Sequence, residues 1–225
     1  MRQVWRDAVF LHWETDPEVA RRWLPEGTRL DVLDGRTYVG LVGLRMDVVR
    51  VGLLPVPHVG SFGEVNVRLY SVDAAGRRGI VFCSLDAGRL APVLAARAGY
   101  RLPYAWSDVD VSRRGSSVSY AVRRRWPGAD HPTTTFSVLV GDRIVEPTDL
   151  DHFLTARWTL HWRWFGRTMW CATDHPPWQL HSAELRSFDD QLVAVAGLPP
   201  VQGRPVSALW SPGVPSLIGP PVPLV

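Results

Sequence analysis

The segment Phe62 to Tyr70, FGEVNVRLY, alternates without a break. Val65, Val67 and Leu69 fall on one side of an extended chain; Glu64, Asn66, Arg68 and Tyr70 fall on the other. A period of two marks a half-buried β-strand. If the polar side faced water, this would be an ordinary antiparallel strand. If it faced the inside of a barrel, an acid, an amide and a guanidinium would line a cavity. Before this segment, DAVFLHWE (7–14) predicts a first strand. DPEVARRWLP predicts a short helix with Asp16 as N-cap, Pro17 in the first position and Pro25 as its stop. Asp34-Gly35 between two alternating runs predicts a tight hairpin. The Pro/Gly-rich stretch 52–63 reads as a loop running into the Phe62 strand.

Beyond that strand, the turn AAGRRG leads to IVFCSLDA (80–87), its expected hairpin partner. A helix is expected over 90–100. Strands follow at 104–112, 117–126 and 133–141, then a helix capped by Thr148 or Asp149, then strands at 159–165, 168–173 and 178–188. The proline-rich tail after Gly197 should be extended and loosely held. Short strands, mostly in hairpins, predict a mainly β (α+β) protein: antiparallel strands curved into a sheet or closed barrel with a few short flanking helices. No composition break divides the chain, so residues 1–225 are expected to form a single domain.

Composition narrows the function. The 46% hydrophobic and 21% charged fractions are those of a globular protein. No run of about 18 apolar residues is present, and the N-terminus lacks a signal-peptide core. A cytoplasmic protein without membrane contact is expected, with Cys83 and Cys171 as two buried thiols. The net charge of +3 is scattered. Its densest run, Arg123 to Arg125, reads as a solvated strand edge, and no nucleic-acid motif accompanies it. Asp174, His175 and His181 do not match metal-ligand spacing. Neither a G-x-S-x-G elbow nor a phosphate-binding glycine pattern occurs. All 25 basic residues other than histidine are arginine; there is no lysine. A guanidinium stays protonated, so no side chain here can form a Schiff base.

Two arginines complete apolar stripes. Leu90, Val93, Leu94 and Arg97, like Leu150, Phe153, Leu154 and Arg157, run i, i+3, i+4, i+7. Either both guanidiniums snorkel at helix ends, or both are partly buried as equivalents and need an acid or an anionic ligand. Glu64 and Asp86 are the candidate acids. Ser84 and Asp86 share a strand face and, in the expected hairpin, could sit beside Glu64, Asn66 and Arg68. The tryptophans at 158, 162, 164, 170 and 178 could wall such a pocket.

Taken together, FGEVNVRLY, IVFCSLDAGRLAPVLAARAGYRLPY, FLTARW and DHPPWQL resemble an uncharacterised bacterial YqjF-like family, grouped with the acetoacetate decarboxylase-like superfamily. The resemblance covers about Phe10 to Trp210. It implies antiparallel strands closed into a cone-like β-barrel around a small-molecule pocket. Phe62-Gly63-Glu64 looks like the decarboxylases' Tyr-x-Glu element, which puts its glutamate in the pocket. ARAGYRLPYAW looks like their lysine-bearing segment. Arg97 matches its arginine and Pro103 its proline, while Tyr104 and Ala105 stand where the lysines would be. The resemblance therefore implies the scaffold without the decarboxylase mechanism. The expectation is a pocket for a small polar or anionic organic ligand, bound by Asn66, Arg68, Ser84, Asp86, Arg97 and Arg157, with no cofactor and no metal. Glu64 as acid or base and Tyr104 as hydrogen-bond donor would serve a lysine-free reaction on a small keto or carboxylic acid; a non-catalytic binding or sensing module is the alternative. A small-molecule ligand is the expected partner, nucleic acid is not, and the chain is compatible with a homo-oligomer.

Overall fold

A computed structural model describes residues 1–51, 54–55 and 61–224 of the chain. The expected loop at 52–63 therefore falls largely outside the described residues. Its last three residues, Ser61 to Gly63, already belong to a strand.

The strands are β1 (Arg2–Thr15), β2 (Thr28–Leu30), β3 (Thr37–Val51), β4 (Leu54–Pro55), β5 (Ser61–Asp73), β6 (Arg78–Ala87), β7 (Tyr104–Arg114), β8 (Ser117–Trp126), β9 (Thr133–Arg143), β10 (Thr159–Trp164), β11 (Arg167–Asp174), β12 (His181–Asp190), β13 (Ser207–Ile218) and β14 (Val222–Pro223). The helices are α1 (Pro17–Arg21), α2 (Leu90–Tyr100), α3 (Asp149–Thr155) and α4 (Leu192–Val195). The protein is thus mostly β, as the alternating pattern predicts. Asp16 caps α1 by accepting from the Glu18 N–H at 2.8 Å. Thr148 and Asp151 form a capping box on α3. Asp34 (φ 50°) and Gly35 (φ 76°) both take positive φ, as a two-residue primed turn requires. The strand before that turn, β2, pairs with β5 rather than across the hairpin.

All fourteen strands among the described residues belong to one sheet, and its pairings close on themselves twice. The first circuit runs β5–β6–β7–β8–β9–β12–β13–β1–β3 and back to β5. The second leaves β6 for β10 and β11, rejoins at β13, and returns through β1 and β3. Five strands, β13, β1, β3, β5 and β6, are common to both. Along them odd and even residues face different interiors. Val9, Leu11, Val39, Leu41, Val65, Val67 and Leu69 pack with Val118, Tyr120, Phe136 and Val138 inside the first circuit. Tyr38, Tyr70 and Ile80 pack with Phe153 and Leu154 of α3 and with Leu160, Trp162, Met169 and Cys171 on the β10–β11 side.

The tail is extended but not loose. β13 pairs with β1 over ten residue pairs, from Arg2↔Leu217 to His12↔Ser207. Alternating apolar residues Leu209 and Trp210 bury themselves on its two faces, which is why proline in this stretch does not free it.

Candidate functional site

The polar side of FGEVNVRLY meets neither water nor the first circuit's apolar interior. β5 is buried on both faces, and Glu64, at 2% exposure, Asn66, Arg68 and Tyr70 point into the second compartment. There Tyr104 donates its hydroxyl to Glu64 Oε2 at 3.0 Å, and Asn66 Nδ2 donates to Glu64 Oε1 at 3.4 Å. Leu44 and Ala87, paired with Glu64 on either side, and Phe62 make the neighbouring wall apolar. Burial lifts the Glu64 carboxyl from its ordinary 4.5 to about 7. The two hydrogen bonds oppose that rise and the charge of Asp86 adds to it. The Tyr104 phenol is held well above its usual range, by burial first and then by the adjacent Glu64.

One turn of the pleat further along β5, Arg68 is 8% exposed and donates from Nη2 to the Leu154 carbonyl at 3.1 Å. No carboxylate pairs with it among the described residues. The same carbonyl accepts from the Tyr70 hydroxyl at 3.1 Å, and that hydroxyl lies 2.6 Å from His12 Nε2. Burial, reinforced by Arg68 and Arg157, keeps the His12 ring neutral, its pKa well below the ordinary value. Neither His12 nor the Tyr70 contact was anticipated. Tyr70 falls on the polar side of the β5 alternation, which was the available signal; His12 sits in a continuous apolar run with Ala8 and Phe10 on its own face, and nothing local marks it.

Ser84 and Asp86 do not join this group. They lie on the opposite face, and a single β-bulge is the reason. From Val72↔Arg78 to Arg68↔Phe82 the hairpin keeps one register; at Val67 the partner becomes Ser84, and Asp86 pairs with Val65. Without the extra residue Asp86 would pair with Glu64. One inserted residue reverses every later side chain. Inside the first circuit, Asp86 (0% exposed) accepts from Ser107 Oγ and Arg124 Nε on Oδ1, each at 2.8 Å. On Oδ2 it accepts from Ser84 Oγ at 2.8 Å and Arg124 Nη2 at 2.7 Å. Arg124 is therefore no solvated edge residue, although Arg125 beside it is exposed and pairs with Asp108. The stripe Val118, Tyr120, Val122, Arg124 carried that information.

Arg97 and Arg157 are not equivalent either. α3 ends at Thr155, so Arg157 lies beyond the helix. It is buried against Asp31, which Arg78 also contacts at 2.7 Å, and its Nε donates to the Phe153 carbonyl at 2.7 Å. α2 buries only Val93 and leaves Leu90 and Leu94 exposed, so its stripe does not face the core. Arg97 is half-buried. It donates to the Tyr104 carbonyl at 2.6 Å and lies over the Trp126 ring at 4.6 Å. Neither arginine hydrogen-bonds Glu64 or Asp86. Of the expected tryptophans, Trp178 stacks near Trp5 and Phe10, and Trp158 faces His175.

His175 Nδ1 and Nε2 contact the Pro176 and Arg157 carbonyls, and His181 Nδ1 the Gly141 carbonyl. No cluster of three or more metal-ligating side chains occurs among the described residues. Cys83 and Cys171 are free, buried thiols. Burial raises both, Cys171 to about 11. No helix among the described residues is long and apolar enough to cross a membrane.

The fold is similar to that of solved acetoacetate decarboxylase-like structures. The chain superposes on the enduracididine biosynthesis enzyme MppR complexed with pyruvate with a TM-score of 0.67 at 16% identity, covering 100% of this chain and 90% of that one. Acetoacetate decarboxylase from Legionella pneumophila gives 0.67 at 14% identity, with coverage of 100% and 87%. An acetoacetate decarboxylase-like enzyme from Sphingomonas wittichii RW1 gives 0.65 at 10%, with coverage of 99% and 92%. At family level the chain belongs to DUF2071, described as an uncharacterized conserved protein, whose model matches residues 2–215. It is 31% identical over 185 residues to the uncharacterized protein YqjF of Bacillus subtilis (strain 168), covering 82% of this chain and 76% of that protein.

Proposed function

We propose that this protein uses the second compartment, within a cone-like barrel, to hold a small organic anion between Arg68 and the Glu64–Tyr104 pair, and that it does not decarboxylate acetoacetate. The observation that carries this is Arg68: a buried guanidinium that, among the described residues, makes one hydrogen bond and has no acid to neutralise it. A buried cation needs a counter-charge, and a bound carboxylate supplies one in bidentate form. The structural neighbour complexed with pyruvate supports a ligand of that size and charge. The chain contains no lysine. The position matched to the decarboxylase lysine holds Tyr104, which cannot form the iminium through which such an enzyme withdraws electrons.

A second interpretation is favoured by one specific feature. Among the described residues no cation hydrogen-bonds Glu64, and burial raises its carboxyl to about 7. That suits a group that takes and returns a proton, with the Tyr104 hydroxyl stabilising a developing oxyanion.

The test combines binding and trapping. Isothermal titration with pyruvate, acetoacetate and their hydroxylated counterparts is expected to detect a complex that Arg68→Met abolishes. Borohydride with acetoacetate is expected to leave the protein unlabelled and the ketoacid undecarboxylated. Internal covalent labelling would overturn the lysine-free chemistry; unchanged binding by Arg68→Met would overturn the assigned anion site.

A further inference from the structure

We infer that the ligand of this compartment is a hydroxy acid, which donates a hydrogen bond from a hydroxyl as well as presenting a carboxylate, rather than an oxo acid; this rests on the compartment being a ligand site. Three buried polar atoms there have no partner among the described residues: His12 Nδ1, Asn66 Oδ1 and Arg68 Nε. Their hydrogen-bonding character follows from their neighbours. The Tyr70 and Leu154 oxygens, 3.1 Å apart, need a proton between them, and only the phenol has one. The 2.6 Å contact to His12 must then be filled by the ring's Nε2–H. In a neutral ring Nδ1 is left as a bare acceptor. Asn66 turns its amide N–H toward Glu64, which leaves Oδ1 as an acceptor. Arg68 Nε is a donor.

The three residues stand on neighbouring strands, with the Nε2–Cδ2 edge of the His12 ring turned toward Gly40. His12, Gly40 and Arg68 are in register across β1, β3 and β5. Gly40 leaves room for this: a Cβ there would come within 3.0 Å of His12 Nε2 and 3.2 Å of Arg68 Cγ. Asn66 is two residues from Arg68 on the same face, about 7 Å along the strand. Two strand spacings, about 10 Å, separate the His12 and Arg68 backbones.

The unpaired set is one donor and two acceptors. Pyruvate and acetoacetate carry acceptors only, so they can answer Arg68 but would set a carbonyl lone pair against Asn66 Oδ1 or His12 Nδ1. A hydroxyl in the carbonyl's place donates to one of those acceptors. Sites built around a substrate hydroxyl discriminate strongly against analogues that cannot use it.

Calorimetric titration of the full-length protein with two matched pairs tests this: lactate against pyruvate and 3-hydroxybutyrate against acetoacetate, each hydroxy acid as both enantiomers. The expected result is at least about tenfold tighter binding of the hydroxy acid in one or both pairs. 2-Methoxypropionate, which accepts but cannot donate, should lose that advantage. Asn66→Leu or His12→Phe should shrink the ratio of hydroxy-acid to oxo-acid affinity, and a ratio unchanged in both variants would overturn the assignment; two variants guard against one failing to fold. Oxo acids that bind as tightly as their partners in both pairs would overturn the hydroxy-acid assignment and leave the anion site standing. If no acid of the four binds, the ligand site itself is overturned, and the assignment with it.

Discussion

Replacing Arg124 by leucine should strand the Asp86 carboxylate inside the first circuit with two serine hydroxyls for company. In the native protein four hydrogen bonds of 2.7–2.8 Å converge on that carboxylate, two of them from the guanidinium. The pair is almost solvent-free, with side-chain exposures of 10% and 0%. Removing one partner of such a pair costs about 3–5 kcal/mol, because the remaining charge is left buried and unpaired. With a urea m-value of about 3 kcal/mol/M, the unfolding midpoint followed by tryptophan fluorescence should fall by about 1–1.7 M. Two controls separate this from ordinary truncation. Arg125→Leu, next along the chain but in an exposed pair, should leave the midpoint where it is. The double variant Asp86→Leu/Arg124→Leu, compared with each of its singles, removes both charges and should recover much of the loss. A single variant costing less than about 1 kcal/mol, or a double variant as unstable as the summed singles, would refute the assignment of a buried, mutually dependent pair.

Because the Glu64 carboxyl is raised in the folded state, the fold binds more protons than the unfolded chain between pH 4.5 and about 7, so stability should fall as pH rises through that window. The loss should reach about 3 kcal/mol by pH 7, and Glu64→Gln, followed by urea denaturation across pH, should remove this component; identical pH profiles would contradict the buried acid. Arg157→Leu leaves Asp31 with Arg78 alone and should cost about 3 kcal/mol, whereas Arg97→Leu, which loses one carbonyl bond at a half-buried site, should cost about 1 kcal/mol; equal denaturation midpoints would restore the equivalence suggested by their motifs. Gly213 has φ +121° and an added Cβ would lie 1.9 Å from the Trp5 carbonyl oxygen, so Gly213→Ala should break the β1–β13 pairing; a soluble, wild-type-like thermal transition would refute that placement.

Local chemistry made most elements legible: the Asp16 and Thr148 caps, the Asp34-Gly35 turn and the alternation in β5 all stand where the residues put them. The Glu64–Tyr104 pair was legible too, though only through a family resemblance, since nothing in 104's own surroundings points to an acid forty residues earlier. The misplacements share a cause. The bulge at Val67 that moves Ser84 and Asp86 away from Glu64 leaves no local signature in IVFCSLDA, because Cys83 is as good a strand residue as its neighbours. The end of α3 before Arg157 and the exposure of Leu90 and Leu94 on α2 are set by what lies alongside, which a helical stripe does not encode. Proline in the tail suggested looseness, but the partner that fixes it, β1, is two hundred residues away.

The wall common to the two circuits also shapes how relatives can diverge. Each of its strands serves two rooms, one through odd residues and one through even residues. In β5, Val65, Val67 and Leu69 answer to the packing of one room, while Glu64, Asn66 and Arg68 answer to whatever occupies the other. A lineage can therefore remodel one room by editing alternate letters of one strand and leave the intervening letters, and the folding they support, untouched. Aligned relatives with different ligands should show variation in this strand that rises and falls with a period of two.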